Sequence, residues 1–335
     1  MDIKENRLTV FILDSAEVPD ARECEIETKI LSGIAEVSLL HVSSEQELLP
    51  SLPSADALIL WHHPKLSRLS ISKLERVCVI VRNGVGVDNV DIAAAHDFGI
   101  PVCNVPDYGV EEVADHAMAM ALSLWRQLWT ANEDVRRGNW DWRIAEATRR
   151  TKGKIFGIVG CGRIGTACAR RAAVFGFDVV FYDPFVAAGY EKALGVRRVG
   201  SISDLLEIAD VLSLHVPLSD ATYHLIGAEQ FRRMKPTSYL VNTSRGPVVD
   251  EESLVQILQA GKLAGAALDV VETEPIPQPA LLSLPNCIVT PHSAFYSAES
   301  LKEMREKSSN IVLNALMGRE ITNVVNGHET RVSRG

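Results

Sequence analysis

The chain has 335 residues, 47% of them hydrophobic and 23% charged, with a formal net charge of −9. That length sets a prior of two domains, and the composition is that of a globular protein able to bury a normal core. The negative balance argues against nucleic acid or an anionic membrane as the main partner, while leaving room for a local positive site that takes a small anion. Six cysteines, at 24, 78, 103, 161, 168 and 287, show no C-x-x-C spacing. They read as small buried hydrophobes rather than disulfides or metal ligands, so no metal site is expected. The opening MDIKENRLTVFILD lacks the pattern of a secretory leader, and no apolar run approaches the roughly 20 residues of a membrane span. A reducing, cytoplasmic setting fits.

From the N-terminus, 8–14, 36–41, 56–61 and 77–82 are short, apolar and β-branched, the signature of buried strands. Helical stretches at 20–32, 45–50, 70–75 and 91–98 alternate with them. Such alternation predicts a parallel sheet covered on both faces. Residues 110–138 then read as one long helix rich in small alanines (Ala114, Ala117, Ala119, Ala121), suited to a domain core, a subunit interface or both. A second α/β unit follows, with strands expected at 154–159, 178–183, 210–215, 238–242, 264–269 and 287–290. A last helix over 297–317 is capped by Ser297, stopped by Gly318, and expected to return to the first unit. The fold class expected is α/β, with two doubly wound parallel-sheet domains. The C-terminal NGHETRVSRG reads as a frayed polar tail.

The stretch GIVGCGRIG places Gly160, Gly162 and Gly165 between a strand and a helix, and Asp183 lies at the end of the next strand. That context turns a weak G-x-G-x-x-G match into a dinucleotide fingerprint. Gly160 allows a tight turn, Gly162 lets the backbone approach a pyrophosphate, and Gly165 lets helix and strand pack. The helix N-terminus favours the phosphates. Asp183 can accept from ribose hydroxyls and would repel a 2′-phosphate, so NAD is expected over NADP.

Three polar residues stand just past strands of this second unit: Arg245, Glu274 and His292. In an open parallel sheet the carboxyl ends of strands line the ligand crevice. A guanidinium grips a carboxylate with two hydrogen bonds, and a histidine moves a proton near neutrality. A carboxylate beside that histidine stabilises its charged form. The set suits proton and hydride chemistry on a 2-keto acid.

With LHVPLSDATYHLI, LVNTSRGPVVDE, GAALDVVETEP and TPHSAFYSAES in order behind the glycine loop, the chain resembles the D-isomer-specific 2-hydroxyacid dehydrogenases. The likeness is greatest to the branch of the C-terminal-binding proteins. VRNGVGVDNVDIAAAHDFGIPVCNVPDYGVEEVADHA extends it to the first domain. The resemblance implies a flavodoxin-like split catalytic domain, 1–108 and 296–330, with a Rossmann NAD-binding domain inserted over 109–295. It implies an interdomain and dimerisation helix over 110–137, and a homodimer paired through the nucleotide domains. It assigns catalysis to Arg245, Glu274 and His292, and cofactor contacts to Gly160, Gly162, Arg163, Ile164, Gly165, Asp183, Val216, Pro217, Thr222, Thr243, Ser244, Asp269, His292 and Ala294. Substrate contacts fall at Arg82, Asn83, Val85, Gly86, Arg245 and Phe295. Arg82 could instead belong to a surface ion pair, and Trp61 and His62 could wall a pocket or simply end a strand.

Departures from the family pattern are Ser244 and Pro247, where alanine and a small or apolar residue are more usual; against the C-terminal-binding proteins, Val113 stands in place of a threonine and Phe295 in place of a tryptophan. The function expected is reduction of a small 2-keto acid. An NAD(H)-sensing corepressor and a phosphoglycerate dehydrogenase stand as alternatives.

Overall fold

The computed structural model describes residues 7–328, apart from 18, 20, 22 and 276. The chain divides into two compact units, one built from the residues up to Gly109 together with those from Ser297 onward, the other spanning Val110–Tyr296. Most of the polar tail expected at the C-terminus lies outside the described residues.

The first unit holds β1 (Leu8–Ser15), β2 (Ala35–Val42), β3 (Ala57–Leu60), β4 (Ile80–Arg82) and β5 (Val102–Cys103). They form one parallel sheet in the order β2-β1-β3-β4-β5, the flavodoxin-type winding. Val10, Ile12, Leu13, Leu58 and Ile59 are fully buried, because helices cover both faces of the central strands. The helix Ala298–Leu316 packs on β3, β4 and the helix Glu25–Ile30. Ser297 starts it with a reciprocal pair: its Oγ accepts from the Ser300 N–H at 2.9 Å, and Ser300 Oγ accepts from the Ser297 N–H at 2.8 Å. Arg305 on this helix makes a bidentate pair with Glu27, both bonds 2.7 Å, with both residues buried. Two expectations change here. The strand read at 77–82 enters the ladder only at Ile80, and β5, with two residues, is too short to stand out as a pattern.

The second unit holds β6 (Ile155–Val159), β7 (Asp178–Tyr182), β8 (Arg197–Arg198), β9 (Val211–Leu214), β10 (Tyr239–Asn242), β11 (Gly265–Leu268) and β12 (Cys287–Val289). All pair in parallel in the order β12-β11-β10-β9-β6-β7-β8. Read from β8, this is the Rossmann winding with one added strand, and the order reverses between β6 and β9. Six strands were expected; the seventh, β8, is a charged two-residue edge strand without an apolar run.

The long helix expected over 110–138 is broken in two. Val110–Trp125 is followed by Gln127 in the left-handed region (φ 55°) and then by Leu128–Arg136. Ala114, Ala117 and Ala121 are buried, and their helix packs on the helix Arg163–Val174 and on β10 and β11. Three of the four alanines are therefore core of their own unit, while Ala119 is exposed. The second piece buries none of its residues.

Candidate active site

Parallel strands end on the same edge of a sheet, so the loops after β6, β7, β9, β10, β11 and β12 gather along one rim. Gly160 turns the chain sharply after β6 with φ 87°, and a Cβ there would lie 2.7 Å from the His215 carbonyl oxygen past β9. At Gly165 a Cβ would sit 2.0 Å from the Gly160 carbonyl oxygen. Those two glycines are required by the protein's own packing. Gly162 differs: it begins the helix Arg163–Val174, and nothing lies within 4 Å of where its Cβ would be. That open space in front of a helix N-terminus suits an anion.

Asp183, past β7, is buried and holds the loop from beneath. One of its carboxylate oxygens accepts from the Cys161 N–H and the other from the Phe185 N–H, both at 2.8 Å. Each oxygen keeps a second lone pair for a ligand hydroxyl. Past β9, Thr222 Oγ1 donates to the Pro217 carbonyl at 2.6 Å and accepts from the Ser219 N–H at 2.8 Å, bracing the loop that holds Val216 and Pro217. At the end of β10, Asn242 is fully buried and pins the turn that carries Arg245: its Nδ2 donates to the Arg245 carbonyl at 2.9 Å, and its Oδ1 accepts from the Ser244 N–H and hydroxyl. Thr243 Oγ1 in that turn is buried without a hydrogen-bond partner. Gly246 lets the turn meet the next loop, since a Cβ would fall 1.9 Å from the Val271 carbonyl oxygen.

His292 and Glu274 come together. Nδ1 of His292 lies 2.7 Å from Glu274 Oε2, with the two side chains 25% and 33% exposed, enough to leave the pair open to a ligand. Glu274 Oε1 accepts from the Val271 N–H at 3.2 Å. His292 sits in the left-handed region at φ 51°, and Phe295 packs edge-on to its ring at 6.2 Å. Asp269, expected as a cofactor contact, is 2% exposed and is committed to this loop through Thr290, Ser293 and Ala294. Arg163 is exposed and Ile164 half-buried at the head of their helix. Sequence reasoning missed Asn242, whose signal was only a polar residue ending an apolar strand. It also missed the brace in which His224 Nε2 meets Glu272 Oε1 at 2.7 Å while Glu272 and Glu251 bond each other's backbone N–H. Glu272, His224 and Asp250 bring ligand-type atoms within 4.8 Å of one another, but each is engaged in holding these loops or in capping the helix Glu251–Gln259.

In the first unit Arg82 is buried, which removes the surface ion-pair reading. Its guanidinium folds over Gly84 (φ 137°) and donates to the Asn83 carbonyl at 2.7 Å. Asn83 is fully buried, and neither atom of its amide has a hydrogen-bond partner. The Val85 carbonyl accepts from Asn104 at 2.6 Å, and Gly86 is partly exposed. Trp61 is 1% exposed and belongs to the core rather than to a pocket wall.

A Rossmann winding with a phosphate-type loop at its switch point, and an imidazole–carboxylate pair on the same rim, defines a dinucleotide-dependent α/β protein. The family model for the D-isomer specific 2-hydroxyacid dehydrogenase NAD binding domain matches residues 118–294. The chain belongs to that family. It is 36% identical over 325 residues to C-terminal-binding protein 1 of Caenorhabditis elegans, covering 92% of this chain and 44% of the relative. It is 38% identical over 298 residues to D-3-phosphoglycerate dehydrogenase of Methanocaldococcus jannaschii, covering 89% and 57%. The chain thus spans about half the length of these curated relatives. D-Lactate dehydrogenase from Aquifex aeolicus, solved with NAD and lactic acid, superposes with a TM-score of 0.82 at 30% identity, over 92% of this chain and 96% of that one.

Proposed function

We propose that the chain is an NAD-dependent dehydrogenase of D-2-hydroxy acids, acting mainly as a 2-keto acid reductase. The observation that carries the reading is the 2.7 Å pair of His292 and Glu274 on the strand-end rim that also holds the glycine loop. Several features suit a dinucleotide: the open space at Gly162, the unpartnered hydroxyl of Thr243, and the buried carboxylate of Asp183. Asp183 would meet a 2′-phosphate with a like charge, which favours NAD. The remaining cofactor contacts would be Arg163, Ile164, Gly165, Val216, Pro217, Thr222, Ser244 and Ala294.

When bound, the nicotinamide supplies a hydride to the carbonyl carbon or accepts it in the reverse direction. Arg245 would hold the substrate carboxylate and polarise the carbonyl. His292, through Nε2, gives a proton to the oxygen during reduction and takes it back during oxidation. Glu274, on Nδ1, fixes the ring and offsets its positive charge. Arg82, Asn83, Val85, Gly86 and Phe295 are the proposed further substrate contacts. The unit Val110–Tyr296 would be the nucleotide domain, and the other unit the substrate domain.

A homodimer is part of the proposal. Leu128, Trp129, Val135, Trp140 and Trp142 are exposed along one stretch of the chain, with Trp140 90% and Trp142 76% accessible, and their burial in a partner would favour association. A cytoplasmic location fits the six free cysteines. Among the described residues, no helix is long and apolar enough to cross a membrane. The acidic net charge of −9 speaks against nucleic acid or membrane as partners.

The test is a spectrophotometric panel of 2-keto acids with NADH and with NADPH. Turnover of at least one acid, with NADH preferred, supports the reading. NADH binding with no turnover of any acid would instead favour a dinucleotide-sensing binding protein, and NADPH preference would remove Asp183 as the selector.

A further inference from the structure

A second histidine of the same unit reaches the loop that carries His292. His116, on the helix Val110–Trp125, places Nε2 3.1 Å from Thr290 Oγ1 and 3.5 Å from Asp269 Oδ1. The Thr290 hydroxyl lies 2.5 Å from the same Asp269 oxygen. An ionised aspartate only accepts, so the threonine proton points to Asp269 and its lone pairs face His116. Nε2 of His116 therefore carries the hydrogen.

Asp269 is the hub of this arrangement. Its Oδ1 also accepts from the Ser293 N–H at 3.0 Å, its Oδ2 from the Ala294 N–H at 2.8 Å, and its carbonyl from the His292 N–H at 2.8 Å. Thr290, His292, Ser293 and Ala294 are all tied to one buried residue. Between these ties His292 adopts φ 51°, a conformation that costs a side chain with a Cβ and persists only where its surroundings over-determine it. His116 supplies the constraint from the helix side. A carboxylate receiving several donors inside a protein holds them cooperatively, so loss of one loosens the others.

We infer that His116 is a positioning residue: through Thr290 and Asp269 it locks the loop Thr290–Ala294, and so holds the His292 imidazole against Glu274. The inference rests on the proposed acid–base role of His292, and its test has one arm that does not.

That arm is the hydrogen bond between His292 Nδ1 and Glu274, followed by 1H–15N NMR of the ring in the free protein. In His116→Leu, the loosened contact with Glu274 should broaden the Nδ1–H resonance beyond detection. In the activity arm, kcat should fall about tenfold with little change in the KM for NADH. His116→Gln, which keeps an N–H of similar reach, should recover most of both. An unchanged His292 Nδ1–H resonance in His116→Leu overturns the inference. So does a glutamine variant as impaired as the leucine one, with a matching drop in melting temperature. If the wild-type protein reduces no 2-keto acid, the proposed function fails while the NMR arm still decides the role of His116.

Discussion

Arg245, Glu274 and His292 are ordinary surface residue types, and what distinguishes them is where their neighbours hold them. Asn242 fixes the Arg245 turn, Val271 the carboxylate of Glu274, and Asp269 the backbone of His292. Arg245→Ala should lower kcat/KM at least a thousandfold with NADH affinity nearly unchanged, measured by steady-state kinetics and by fluorescence titration of NADH. Equal loss of both would make the arginine structural. Glu274→Gln keeps the shape of the side chain but removes the carboxylate that holds the His292 ring, so kcat should fall at least about tenfold with NADH affinity little changed. Steady-state kinetics check this, and an unchanged kcat would take Glu274 out of the pair. His215 gives a prediction about stability. Desolvation pushes its pKa down from 6.5 to about 4, while its ring nitrogen Nε2 bonds Ser213 at 2.9 Å. The unfolded chain then binds the proton more readily, so this contribution to stability is full above about pH 6.5 and lost as the pH falls towards 4. Urea unfolding at pH 7 and pH 4.5 should show a smaller acid loss for His215→Asn than for the wild type.

Turns do as much as strands in shaping the rim. The turns after β10 and β11 touch through Gly246, where a Cβ would fall 1.9 Å from the Val271 carbonyl oxygen. Backbone cannot yield cheaply there, so Gly246→Ala should cost about 2–3 kcal/mol and displace both Arg245 and Glu274. Denaturant unfolding together with kcat measures the two effects; a variant with normal stability and activity would show that the turns are free to part. Desolvation pushes the partly buried thiol of Cys78 up to about 11 and the buried thiols of Cys103, Cys168 and Cys287 up to about 12, which disfavours the thiolate.

At the scale of the whole molecule, each unit closes its own core, and six exposed large hydrophobic residues fall on the stretch from Leu128 to Ile144. Buried between two copies, those side chains would supply the apolar centre a stable dimer needs. Sedimentation velocity should find a dimer for the wild type, and Trp140→Glu with Trp142→Glu should give a folded monomer. A wild-type monomer at micromolar concentration would overturn the homodimer.

Strand periodicity, the glycine loop, the Ser297 cap and the pairing of Glu274 with His292 were legible in the amino-acid order, because each depends on local residue type and spacing. Alternating strands and helices gave the parallel sheets, and the family resemblance supplied the flavodoxin-like and Rossmann windings. Tertiary structure alone decided the rest. It ended one helix at Gln127 and turned Ala114, Ala117 and Ala121 inward onto the helix Arg163–Val174. It buried Arg82 over Gly84, and it committed Asp269 to the His292 loop with His116 alongside. Those outcomes rest on contacts between segments as distant as His116 and Thr290, and sequence spacing carries no information about which distant donor will find which buried acceptor.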